Sequence, residues 1–158
     1  MNSLIEMFGN SNQLAVENAK HEIRVCNEFT GRFGLVLSDR EIEELVECRA
    51  EILKNTGRVE FGGGILPKLI YAFCDSPYIE QENYEDTLAE LQEAFYYYKN
   101  EAMEAYSDDE LIEYMVSVFN RRAHGSAQYL IETSLESLCR YARKGYDKRS
   151  VGEAGDRF

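Results

Sequence analysis

Apolar residues recur along most of this chain at the three- and four-residue steps of amphipathic helices, and polar or glycine-containing stretches separate them. Leu4, Ile5 and Phe8 make a short apolar turn, and Gly9 to Ser11 reads as a break. A first long helix is predicted over about 12–29, with Leu14, Ala15, Ala19, Ile23 and Cys26 on one face. Ser38-Asp39-Arg40-Glu41 has the spacing of a capping box, in which hydroxyl and carboxylate satisfy each other's orphaned backbone donors. A second helix starts there, with Ile42, Leu45, Val46, Ile52 and Leu53 inward, and Asn55-Thr56-Gly57 stops it. Ile65 to Cys74 contains one charge, Lys68, so the segment should be buried on nearly every side. Pro67 suits the first turn of a helix, where no backbone N–H is needed, which favours a short central helix over a buried strand. The next helix, with Asn83 as its expected cap, carries Tyr84, Leu88, Leu91, Phe95, Tyr98 and Ala102 inward. Ser107-Asp108-Asp109-Glu110 is a second capping box, opening a helix with Leu111, Ile112, Met115, Val116 and Phe119 that should end near Gly125. A last helix is expected over about 126–144, with Leu130, Ile131, Leu135, Leu138 and Tyr141 inward. The pattern predicts an all-α, single-domain bundle of five or six helices over residues 1–144, with a disordered polar tail over 145–158.

Length and composition agree with one soluble domain: 158 residues, 44% hydrophobic and 29% charged. No stretch reaches the roughly 20 apolar residues of a membrane span, and no leader is recognisable at Met1 to Phe8, so a cytoplasmic location is expected. Cys26, Cys48, Cys74 and Cys139 lack metal-ligand spacing and read as separate buried thiols, so neither a metal nor another cofactor is expected. The net charge of -12 is unevenly distributed. Residues 79–113 hold 12 acidic side chains against Lys99 alone, whereas residues 114–158 are mildly basic. Such an acidic block repels polyanions and argues against nucleic acid as a partner.

Two places invite function. Glycines 62, 63 and 64 precede the apolar helix, whose first turn holds Lys68, and Arg58 lies just upstream. Backbone amides at such a turn, with Arg58 and Lys68, make a candidate site for a small anion at Gly62, Gly63 and Gly64; the same glycines serve equally in a purely structural tight turn. Cys74 and Asp75 are nearby, but a nucleophile needs a base, and His21 and His124 look structural or exposed, so no catalytic residue is assigned. Phe95-Tyr96-Tyr97-Tyr98 wraps aromatics around a whole helical turn, more than one core face absorbs. Tyr96 and Tyr97, with Glu93 and Glu101 around Tyr97, are the candidate interface for a protein partner or a second copy in a homodimer. The alternative is that another segment covers Tyr96 and that Tyr97 lies along its own helix.

The segment from Val59 through Gly62-Gly63-Gly64-Ile65-Leu66-Pro67-Lys68-Leu69-Ile70-Tyr71-Ala72-Phe73-Cys74-Asp75-Ser76-Pro77-Tyr78-Ile79 resembles an uncharacterised bacterial protein family of unknown function. The likeness extends through Asn83-Tyr84, Thr87 to Gln92 and the Ser107 cap, covering about Leu14 to Arg143. It implies no catalytic residue, cofactor or substrate. The expected function is a non-catalytic interaction or regulatory module using the acidic, tyrosine-rich helix; the alternative is a small-molecule anion binder or enzyme at the glycine turn.

Overall fold

The two capping boxes form as their spacing dictates and fix where two of the principal helices begin. Ser38 Oγ accepts from Glu41 N at 3.1 Å while Ser38 N donates to Glu41 Oε1 at 2.9 Å; Ser107 and Glu110 repeat the exchange at 3.1 Å each way. The computed structural model describes the backbone of residues 2–144 and the side chains of residues 13–144. The expected tail, 145–158, lies outside the described residues. Helices α1 (Asn2–Thr30), α2 (Asp39–Thr56), α3 (Leu66–Phe73), α4 (Tyr84–Glu101) and α5 (Asp108–Asn120) are followed by one continuous rod. That rod consists of α6 (Ala127–Tyr129), a π-helical segment (Leu130–Leu135) and α7 (Glu136–Arg143). No strand occurs among the described residues, and the fold is all-α.

The helix over 66–73 starts with Pro67 in its first turn, as the missing N–H favours. It sits between α1, α4 and α5, and α4 in turn touches α2, α3, α5, α6 and α7, making it the hub of the bundle. Leu69, Ile70, Phe73, Leu88, Leu91, Phe95, Met115, Phe119 and Leu130 are buried in one continuous core. Each such side chain contributes about 1.5–3 kcal/mol by leaving water.

Several local expectations are corrected. Gly9 to Ser11 does not break α1, because one glycine lowers helix propensity by about 1 kcal/mol without forbidding the helix. Leu14 and Ala15 are exposed although Ala19, Ile23 and Cys26 on the same stripe are buried: Ala15 borders an open cleft between α1 and α2. The central helix is buried on one face only, with Lys68 and Tyr71 outward and the Tyr71 ring edge-on to Phe29 at 5.6 Å. Asn83 does not cap α4 through its side chain; its Oδ1 accepts from Glu80 N at 2.9 Å, closing the short 3-10 turn Gln81–Asn83 that leads into α4. Helix α5 stops at Asn120, and Gly125, in the left-handed region at φ 80°, sends its N–H back to Phe119 O at 2.8 Å.

Sequence periodicity does not register the π-helical segment. Side chains from elsewhere in the bundle hydrogen-bond to it. Tyr98 donates to Ile131 O at 2.7 Å and Tyr114 to Ser134 O at 3.4 Å, while Arg122 donates to the Ser134 hydroxyl at 2.6 Å.

Across the α2–α4 pair, the Glu85 carboxyl is raised to about 7, first by hydrogen bonding with the Glu44 carboxylate and then by burial and by repulsion from Glu44 and Glu41. A folded-state value above the unfolded one means stability present below about 4.5 and lost as pH rises through 7. Glu85→Gln, which imitates the protonated acid, should therefore stabilise the protein at pH 8. Solvent screening limits the gain to about 1 kcal/mol. Thermal melts of the two proteins should converge at pH 4; a constant difference between pH 4 and 8 would contradict the assignment.

Candidate functional site

The four aromatics at 95–98 are divided by the bundle. Phe95 is core, and Tyr96, at 0% exposure, is core as well, contrary to the expected surface role. The physical cause is the 58–61 loop, which folds over α4 so that the Tyr96 hydroxyl donates to Glu60. Tyr97 is 52% exposed, and its ring stands edge-on to Tyr98 at 4.9 Å and 85°. Tyr98 is buried and tied to the π-helical segment through Ile131; burial foremost, then Glu136, pushes its phenol up to about 12, so it stays neutral.

Between α4 and the π-helical segment lies a groove of about 450 Å3, lined by Glu90, Glu93, Ala94, Tyr97, Tyr98 and Ile131. Glu90 and Glu93 are exposed and form no ion pair among the described residues. Glu101, also expected at an interface, is half-buried and held by Arg143 Nη1 at 2.8 Å. Two of the expected interface residues, Glu93 and Tyr97, are thus brought together; Tyr96 and Glu101 are used internally. Glu90, one turn before Ala94, was legible as part of the acidic face. Ile131 was not, because no local pattern announces that a π turn will bring it beside Tyr98.

The glycine turn is built differently from the anion site that its residues suggest. Gly63 N donates to Glu22 Oε2 at 2.6 Å, so a carboxylate of the chain itself occupies the turn. Gly62 lies at φ 58°, in the left-handed region that favours glycine, and a Cβ there would lie 2.6 Å from the movable carboxylate oxygen Glu22 Oε1. Arg58 points away, donating to Asn100 Oδ1 at 2.7 Å and to Glu104. Lys68 Nζ meets Asp109 at 2.9 Å. The two cations therefore do not converge on Gly62, Gly63 and Gly64.

Arg49 does converge on the turn. It is 6% exposed, donates from Nη1 to Gly62 O at 2.7 Å and has Glu60 Oε1 3.5 Å from Nε, which has no hydrogen-bond partner. A cation at i+4 from Leu45 and i+3 from Val46, inside an otherwise apolar stripe, is the sequence signal that finds it. Together Arg49, Glu60 and Tyr96 staple the turn to α2 and α4.

Cys74, His124 and His21 are the other residues with candidate chemistry. Burial raises the Cys74 thiol, with the Asp75 charge adding to it, which is the reverse of thiolate activation, and Cys74 Sγ donates to Tyr71 O at 3.4 Å. His124 Nδ1 shares a 3.3 Å hydrogen bond with the Tyr78 hydroxyl, and His21 is exposed on α1. No helix among the described residues is long and apolar enough to cross a membrane.

Neither a curated protein nor a solved structure matches the chain. A family model does: it covers residues 22–148, from the glutamate that seats the glycine turn to just beyond α7, and it makes the chain a member of a family of unknown function, DUF6323.

Proposed function

We propose that this protein is a non-catalytic cytoplasmic interaction module whose groove between α4 and the π-helical segment receives a basic segment of a partner protein. The observation that carries this reading is the pairing of an exposed Tyr97 with Glu90 and Glu93, carboxylates left without an internal cation among the described residues. A lysine or arginine side chain suits that arrangement: its aliphatic stem packs on Ile131 and the tyrosine rings, and its charged end meets the carboxylates and the Tyr97 face. Four free cysteines support a reducing compartment.

The test is fluorescence anisotropy with ten-residue peptides containing lysine and arginine pairs, set against glutamate-substituted controls. Basic peptides should bind, weaken as salt rises, and lose at least tenfold in affinity with Tyr97→Ala or the Glu90→Gln/Glu93→Gln pair. Salt-independent binding, or affinity indifferent to both variants, would refute the reading. A concentration-dependent dimer abolished by Tyr97→Ala would assign the groove to a second copy instead.

A further inference from the structure

A second concavity has different chemistry. Between α1, α2 and the glycine turn lies a cleft of about 530 Å3, within the range of small-molecule sites. Its walls are largely apolar, from Val16 and Ala19 on α1 and Val46 and Leu53 on α2. Phe61, 90% exposed, and Glu22, exposed on α1, also line it.

Four titratable side chains line the cleft, Glu22, Arg49, Glu60 and His21, the last exposed on α1. Arg49 is compensated by Glu60 and the Gly62 carbonyl. Glu22 receives one hydrogen bond, from the Gly63 amide, and no cation among the described residues. Exposed on α1, it is a carboxylate without a cation among those residues, held in place by a backbone amide beside the apolar wall of the cleft.

We infer that this cleft binds an amine-bearing apolar small molecule, an alkyl- or arylalkylammonium, with its ammonium on Glu22, its hydrocarbon body along Val16, Val46 and Leu53, and Phe61 covering it. Glu22 keeps its amide bond to Gly63 while its other oxygen accepts from the ligand. The hydrocarbon leaves water on binding, and the exposed Phe61 ring gains a partner. This site is separate from the α4 groove and does not depend on that reading.

The experiment titrates the full chain, labelled with nitrogen-15, with n-hexylammonium, n-hexanol and n-hexanoate in parallel. Hexylammonium should shift the Gly62 and Gly63 amides saturably, with the alcohol and the carboxylate at least tenfold weaker. Glu22→Gln retains an acceptor for Gly63 N but removes the charge, so it should leave the melting temperature within a few degrees and reduce hexylammonium affinity at least tenfold. Equal binding of hexanol, or hexylammonium affinity unchanged in Glu22→Gln, would overturn the assignment. Shifts confined to residues 90–98 would overturn it too, placing the amine in the acidic groove.

Discussion

Arg49→Met should lower the free energy of unfolding by about 3–5 kcal/mol, the range for breaking a buried ion pair by removing one partner. The substitution keeps an aliphatic stem in place and removes only the guanidinium. The Gly62 carbonyl then loses its 2.7 Å donor, and Glu60, 19% exposed at its side chain, loses the cation 3.5 Å away. The main cost lies in that abandoned carboxylate rather than in the pair's own attraction, since desolvation offsets much of what a buried pair gains. Arg49→Met/Glu60→Gln should therefore be more stable than Arg49→Met alone, the glutamine still accepting from the Tyr96 hydroxyl. Urea denaturation of both proteins measures the difference. A single-variant loss below 1 kcal/mol, or a double variant worse than the single, would mean that the staple is not what holds the turn. Domains of this size are stable by about 5–15 kcal/mol, so the loss is a large fraction of the total.

Gly125→Ala should cost about 3 kcal/mol, from two separable causes. At φ 80° any side chain meets its own carbonyl, a strain of about 1–2 kcal/mol. The new Cβ would also stand inside van der Waals contact of Tyr78 Cβ and Cγ, close to the Tyr78 backbone, where no rotamer change removes the clash. Overpacking of this sort costs about 1–3 kcal/mol. Tyr78 has little room to retreat, with its ring edge-on to Phe119 at 6.4 Å and its hydroxyl on His124. Gly57→Ala supplies the comparison: φ is 70° there too, but nothing lies within 4 Å of the added carbon, so only the strain should be felt. Denaturation midpoints of the two variants separate the causes. Equal losses would show that the contact with Tyr78 contributes nothing.

Local sequence discloses the importance of Arg49, Gly57 and Gly125 only in part. Gly57 follows an apolar stripe and an Asn-Thr pair, so its role as a left-handed stop is visible locally; Gly125 lies in a polar stretch, and its constraint comes from a residue 47 positions earlier. The glycine turn is likewise set partly by local and partly by distant residues. Three glycines ahead of an apolar helix signal close approach of the backbone to something, and that part was legible. What approaches is Glu22, 41 residues away on α1, and Arg58 and Lys68 are drawn off by Glu104 and Asp109, which no spacing rule foretells. In α4 the steps of three and four located Tyr84, Leu88, Leu91, Phe95 and Tyr98 correctly because periodicity reports which face is apolar. Tyr96 defeated that reasoning: its burial depends on the 58–61 loop crossing that flank of the helix.

The amino-acid sequence by itself determined the helical class, the two capping boxes, the proline-led central helix and the crowding of negative charge into residues 79–113, because capping, φ restriction, periodicity and composition act over a few neighbouring residues. Only the tertiary structure decided which tyrosine of 96–98 faces solvent, which carboxylates are left without cations among the described residues, that the last rod carries a π-helical turn, and that the glycines cradle a carboxylate of the chain itself. Those outcomes are contacts between segments tens of residues apart, set by how helices of similar amphipathic pattern pack against one another, and no local signal encodes them.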